Sequence, residues 1–257
     1  MSSSITKVVI IMVIFILFGC KKNMDYEPED FFEGRQLEIA KAIYEGDEDD
    51  LLKKQPLISK EELNKPAKAR MTLLFWAMMA ASGDEVPPVR AHIITDLVQA
   101  GADPLQPQPN TPGSPAEIAV KNDNAIWIKA MLEGGLSPDA RDKRHNEAII
   151  FKSVFAKNTD TLKTLLDHGA DINVRDALGE TVLISALDAQ SYDHVILLLQ
   201  RGADSSIKGN LGWTMGNQLQ RYLERGTGDS DDRKKLEVIK ALLIKHGGQW
   251  PPQPVKK

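Results

Sequence analysis

The side chains able to do chemistry are present in this sequence, but not in the patterns that chemistry requires. Five histidines, His92, His145, His168, His194 and His246, are scattered along the chain, with no His-Glu-x-x-His and no pair four residues apart. That spacing is what brings two imidazoles to one helix face around a metal. Cys20 is the one cysteine, which excludes an internal disulfide and a zinc site built on thiolates. No Gly-x-Ser-x-Gly elbow, Walker loop or Gly-x-Gly-x-x-Gly fingerprint occurs. Two acidic runs, Gly46 to Asp50 and Gly228 to Asp232, offer the clustered carboxylates that hard cations favour. Neither continues into a twelve-residue loop closed by a late glutamate. The first reads as a helix N-cap with an acidic first turn, the second as a solvated insertion. His168 and His246 each stand before a glycine, where a cationic ring complements a helix C-terminus. The sequence predicts no catalytic residue, no cofactor and no bound metal.

Composition narrows the remaining classes. Of 257 residues, 42% are hydrophobic and 26% charged, which excludes a disordered chain, a collagen-like one and a polytopic membrane protein. With 36 acidic against 32 basic residues the net charge is −4. Duplex nucleic acid is thereby a poor partner, since binding it rests on a basic surface neutralising phosphates.

The N-terminus has its own pattern. Lys7 is followed by an unbroken apolar run from Val8 to Phe18, then Gly19 and Cys20. Eleven apolar residues fall short of the roughly 20 that span a bilayer, and match the core of a secretory signal. Leu17-Phe18-Gly19-Cys20 resembles the lipobox of bacterial lipoproteins. The resemblance implies a signal peptide over 1–19, acylation of Cys20, and a chain held in the periplasm by lipid. Lys21 in place of an aspartate implies sorting to the outer membrane. Met24 allows an internal start that would give a minor cytosolic form. Five acidic residues between Lys21 and Gly34 predict a solvated tether over 20–35.

Beyond the tether the chain repeats. Gly101-Ala102-Asp103, Gly169-Ala170-Asp171 and Gly202-Ala203-Asp204 share a triplet, with Gly135-Leu136 between the first two, at steps of 34, 34 and 33. An apolar helical ending precedes each glycine, which supplies the left-handed C-cap. A second marker keeps the period: the stretches opening at Thr72, Ser114, Ala148 and Thr181 each begin an apolar helix. These resemble the Thr-Pro-Leu-His-x-Ala signature of ankyrin repeats, and Asn173 to Asp204 is the clearest unit. The resemblance implies an all-α fold, an ankyrin-repeat solenoid of helix-turn-helix units joined by short hairpin-like loops. It covers 36–248 in five to six repeats including degenerate caps, with 249–257 as a C-terminal tail. Leu165, Leu166, Ala186, Leu198 and Leu199 are then core. Two steps are long: Thr72 to Ser114 is 42, and Gly202 to Gly247 is 45. The excess is expected in loops at Gln106 to Gly113 and Arg225 to Arg233.

Function is left to the surface. In the ankyrin family partners bind the hairpin tips and the concave face, so the resemblance implies a protein partner contacted by Arg141, Asp142, Arg144, His145, Arg175, Leu178, Lys208, Leu211 and Trp213. Trp76 and Trp127 lie in repeat helices and are expected to pack. Leu73-Leu74-Phe75-Trp76-Ala77 and Gly134-Gly135-Leu136-Ser137-Pro138-Asp139-Ala140-Arg141-Asp142 are similar to segments of immunity proteins paired with lipase effectors of bacterial type VI secretion. That similarity implies binding of a lipase or phospholipase toxin and occlusion of its active site. The alternative is a periplasmic scaffold or stress-protection lipoprotein without a toxin partner.

Overall fold

The computed structural model describes residues 26–83, 85–107, 113–226 and 230–255. The signal segment, Cys20 and Met24 lie outside the described residues. Among those described run thirteen α-helices and no strand. Two isolated antiparallel bridges, Arg141 with Ala148 and Arg175 with Thr181, mark hairpins. The chain divides into two compact units, one up to Ala119 with Ile126–Ser137, the other Val120–Ala125 with Pro138 onward.

In the first unit α1 spans Gly34–Glu45, α2 Glu48–Lys54, α3 Lys60–Asn64, α4 Leu73–Ala80, α5 Pro88–Gln99, α6 Pro115–Val120 and α7 Ile126–Glu133. Polar residues set the starts: the Asp47 carboxylate accepts from Asp50 N–H, Ser59 from Glu62 and Thr72 from Phe75. Each hydroxyl or carboxylate satisfies a donor that has no partner within its helix. α1 packs on α4, α4 on α5, and α5 on α7. Trp76 sits fully buried at the centre. Its indole N–H donates to Ala40 O at 3.0 Å, while Phe31, Phe32 and Tyr44 surround its ring with centroids 5.7, 5.8 and 6.2 Å away.

That cluster corrects the tether. Residues 26–35 include a short turn at Pro28–Asp30 and the buried side chains of Phe31 and Phe32, so the folded domain begins before Gln36. Of the five carboxylates that predicted solvation, Glu27, Glu29, Asp30 and Glu33 are exposed, and Glu29 pairs with Lys41 at 2.6 Å. Two adjacent aromatics outweigh them, because burying such rings is among the largest apolar contributions one residue makes.

In the second unit α8 spans Ile150–Ser153, α9 Asp160–Asp167, α10 Val182–Asp188, α11 Tyr192–Gln200, α12 Met215–Arg225 and α13 Ser230–Lys245. α10 packs between α8 and α12, and α11 against α13. Leu165, Ala186, Leu198 and Leu199 are fully buried as expected, whereas Leu166 is half-buried.

Four turns repeat one geometry. Gly101, Gly135, Gly169 and Gly202 have φ of +100°, +107°, +91° and +86°. In each, the next residue's N–H reaches the carbonyl five positions back, as Ala102 to Leu97, Leu136 to Met131, Ala170 to Leu165 and Ala203 to Leu198. This is the 6→1 bond of a Schellman cap. Neighbouring repeats are then joined by side chains donating to helix-end carbonyls. Trp127 Nε1 donates to Ala81 O at 2.8 Å in the first unit. Thr161 Oγ1 donates to Val120 O at 2.9 Å and Ser191 Oγ to Val154 O at 2.7 Å in the second.

The long steps lie elsewhere than expected. From the end of α5 to the start of α6 the chain is one residue shorter than from α7 to α8, but Leu73 to Gln99 takes 27 residues where Pro115 to Glu133 takes 19. The excess is in the connector before α5 and in α5 itself, not in Gln106 to Gly113. Likewise α12 and α13 are 11 and 16 residues long, so part of the proposed Arg225 to Arg233 insertion is helix.

Replacing Thr161 by Val keeps its shape and removes the donor to Val120. It is expected to destabilise the chain by about 1–3 kcal/mol in urea unfolding, the usual cost of unpairing a buried polar group. His194 is buried, and its Nε2 has no partner. Burial pushes its pKa below the ordinary histidine value, against a smaller opposing effect of the Asn158 and Ser153 backbone and of Asp193. The folded chain therefore keeps it neutral while the unfolded chain takes up a proton below about pH 6.5. Stability is expected to fall as pH drops through that value, and His194→Val to flatten that dependence in thermal melts.

Candidate protein-binding surface

The residues expected on the tips all fall in the second unit, on three successive hairpins, but their roles differ. In the first hairpin Arg141, Lys143, Arg144 and His145 are exposed. Asp142 is not: it is 3% exposed. Its carboxylate accepts from the backbone N–H groups of Arg144 at 2.9 Å, His145 at 2.6 Å and Glu147 at 3.2 Å. Asp142 is thus a correction to the expected contact set, because its oxygens are committed to folding the loop. Burial pushes its pKa up, but the three backbone donors and the nearby His145 more than reverse this, and it ends below the ordinary carboxylate value. Arg141 donates to Asn146 O at 2.9 Å across the same loop.

The second hairpin repeats the device. Asp176 Oδ1 accepts from Leu178 and Glu180 N–H, both at 2.8 Å. Arg175 is exposed, yet its guanidinium is held, with Nε on Gly179 O at 2.7 Å and a terminal nitrogen on Lys208 O at 2.6 Å. It therefore ties the second tip to the third. Asn210 completes the tie, its N–H donating to Leu178 O at 2.8 Å. The recurrence of Arg-Asp at 141–142 and 175–176, one period apart, was the signal for this structural role.

Leu178 and Leu211 crown the two joined tips with 64% and 81% of their surface exposed. They sit one period apart on two tips joined by the Asn210 and Arg175 hydrogen bonds. Trp213 is half-buried, with the Arg221 guanidinium 5.8 Å from its ring centroid. Lys208 is exposed beside it. The structure thus brings Leu178, Leu211, Lys208 and Arg175 together, with the basic first hairpin on the preceding repeat. Trp76 and Trp127 are packed against Ala40 and Ala81, as expected. Among the described residues no group of three or more metal-ligating side chains comes together.

Helix pairs capped by left-handed glycines and joined through hairpins define a repeat protein. The ankyrin-repeat family model, in three copies, matches residues 116–208, and the chain has the ankyrin-repeat fold. The human SH3 and multiple ankyrin repeat domains protein 2 is 36% identical over 91 residues, 35% of this chain. The aligned part spans 5% of that protein's length. The crystal structure of the ankyrin repeat protein EF0377 is similar over 79% of this chain and 96% of its own, with 21% identity and a TM-score of 0.54. The ankyrin repeat domain of Bcl-3 overlaps 78% of this chain and 97% of its own, with 18% identity and a TM-score of 0.41. Ankyrin repeats indicate a protein–protein interaction scaffold.

Asp142→Asn retains the shape but removes the charge that gathers three N–H groups. It is expected to cost about 1–3 kcal/mol. Because the folded pKa lies below the unfolded one, the carboxylate's contribution is present above the ordinary aspartate range and is lost as pH falls through it. Urea titrations at pH 7 and pH 3 should therefore show a larger gap between wild type and variant at pH 7.

Proposed function

We propose that this chain is a binding inhibitor, an immunity protein that neutralises a lipase or phospholipase effector of type VI secretion by seating its hairpin tips on the toxin and covering the active-site entrance. The observation that carries the binding surface is the pair Leu178 and Leu211, large apolar side chains held outward on two tips that are hydrogen-bonded to each other. Exposed apolar groups on a rigid frame lose little conformational freedom on binding and gain the most from leaving water. The basic hairpin of Arg141, Lys143, Arg144 and His145 lies one repeat away, suited to steering an acidic partner toward the leucines. The choice of partner rests on the similarity of the Leu-Leu-Phe-Trp-Ala and Gly-Gly-Leu-x-Pro-Asp-Ala-Arg-Asp segments to immunity proteins. Cys20, acylated after signal removal, would hold the chain at the periplasmic face of the outer membrane, where such an effector meets its lipid.

The test pairs the chain, expressed from Lys21 onward, with a lipase effector encoded beside it. Complex formation with loss of lipase activity is expected. Leu178→Glu together with Leu211→Glu should weaken binding at least about a hundredfold, roughly 2.7 kcal/mol, with circular dichroism unchanged. Undiminished binding by this variant would move the interface off the tips, and binding without inhibition would favour a scaffold that has no toxin to neutralise.

A further inference from the structure

The last repeat departs from the others at two adjacent positions. Counting from the residue that opens each first helix, the third residue is Leu74, Ala116, Ile150 and Leu183 in the earlier repeats, all buried. In the last repeat it is Gly216. The following residue is Phe75, Glu117, Phe151 or Ile184 earlier, and Asn217 here. A glycine inside the first turn of a helix gives up packing and costs about 1 kcal/mol relative to alanine, so its presence asks for a reason.

The C-terminal segment supplies one. Pro252 occupies the space left by the missing side chain: a Cβ on Gly216 would stand 3.3 Å from Pro252 Cβ and 3.7 Å from Gln249 O. Asn217 turns its amide oxygen inward, where it accepts from Thr214 N–H at 2.9 Å and from Thr214 Oγ1 at 2.7 Å. Its amide nitrogen then donates to Gln253 O at 2.8 Å. Glu117 makes the same capping bond in its own repeat, accepting from Ser114 N–H at 2.7 Å, but its side chain carries no amide to donate as Asn217 does. Leucine or phenylalanine could make none of these bonds. Further along, Val255 Cγ1 would lie 3.5 Å from a Cβ on Gly212, beside the exposed Leu211. At the other end the Lys240 ammonium sits 5.2 Å from the Trp250 ring centroid, a cation–π contact.

We infer that Gly212, Gly216 and Asn217 form a binding site for a proline-rich peptide, and that the chain's own residues Gln249–Val255 occupy it. Gly216 serves the segment by shape, and Asn217, a capping residue as Glu117 is in its own repeat, serves it by the added bond to Gln253. Proline suits the part, since a segment with φ already fixed loses less freedom when it docks. The segment packs against the last helix pair described and steadies the hairpin that carries Leu211.

Hydrogen exchange over Gly209–Gln218 tests the site, comparing the intact chain with one ending at Gly248. Exchange is expected to quicken at least about tenfold in the shortened chain, as local opening becomes easier. A synthetic peptide of residues 249–257 should bind the shortened chain, restore slow exchange, and fail to bind the intact one. An unchanged exchange rate, or a peptide that restores nothing, overturns the proposal. In the full-length chain Gly216→Leu puts back the residue type of Leu74 and Leu183. It is expected to leave helix content intact while exposing residues 249–257 to carboxypeptidase. A tail that stays protected in that variant overturns the proposal even if the shortened chain does not fold.

Discussion

Everything in this fold hangs on how each second helix ends. An apolar helix stops cleanly only if its last carbonyls find donors and the chain can reverse at once. Both are achieved by a residue with positive φ, which glycine adopts without strain. The four turns at Gly101, Gly135, Gly169 and Gly202 meet this demand with one bonding pattern. Because the reversal is the same each time, the following residues reach the same place in each repeat. The cross-repeat bonds show it: Asp171 N–H meets the Asp139 side chain at 2.7 Å, and Asp204 N–H meets Asn173 at 2.9 Å. The hairpins that follow inherit that regularity, and so does the alignment of Leu178 with Leu211.

The tips show a division of labour between charge and apolar surface. Carboxylates that would dominate an electrostatic sketch of the region, Asp142 and Asp176, are spent on backbone N–H groups and shape the loops from within. Arg175 is spent on joining tips. What is left toward solvent is leucine and a set of cations on the neighbouring hairpin, on a chain whose overall charge is negative. A charged residue in a tip motif is thus as much a loop-builder as a contact.

How far the sequence discloses this depends on what repeats. The period, the glycine caps and the buried Leu and Ala positions were legible because the same physical requirement recurs at steps of 33 or 34. The exposed leucines were legible as tip positions that the ankyrin resemblance implies. Asp142 was misread because one residue type serves two roles, and only the burial of its oxygens tells them apart. Phe31 and Phe32 were hidden among carboxylates, since composition averaged over a stretch cannot register two rings that insert together beside Trp76. The long steps were assigned to loops because a step length counts residues without saying whether a helix or a connector holds them. Asn217 and Gly216 needed both the repeat register and the position of the tail.

Three of the bonds that link one repeat to the next run from a side-chain donor, Trp127, Thr161 or Ser191, to a main-chain carbonyl. The accepting atom is there whatever residue stands at its position. A donor of any kind within reach suffices, which is why an indole and two hydroxyls serve interchangeably. At these three contacts gene duplication of a unit needs no matching change in its neighbour, because the older copy already offers the acceptor. An array of this construction can lengthen by copying before selection has altered a single residue.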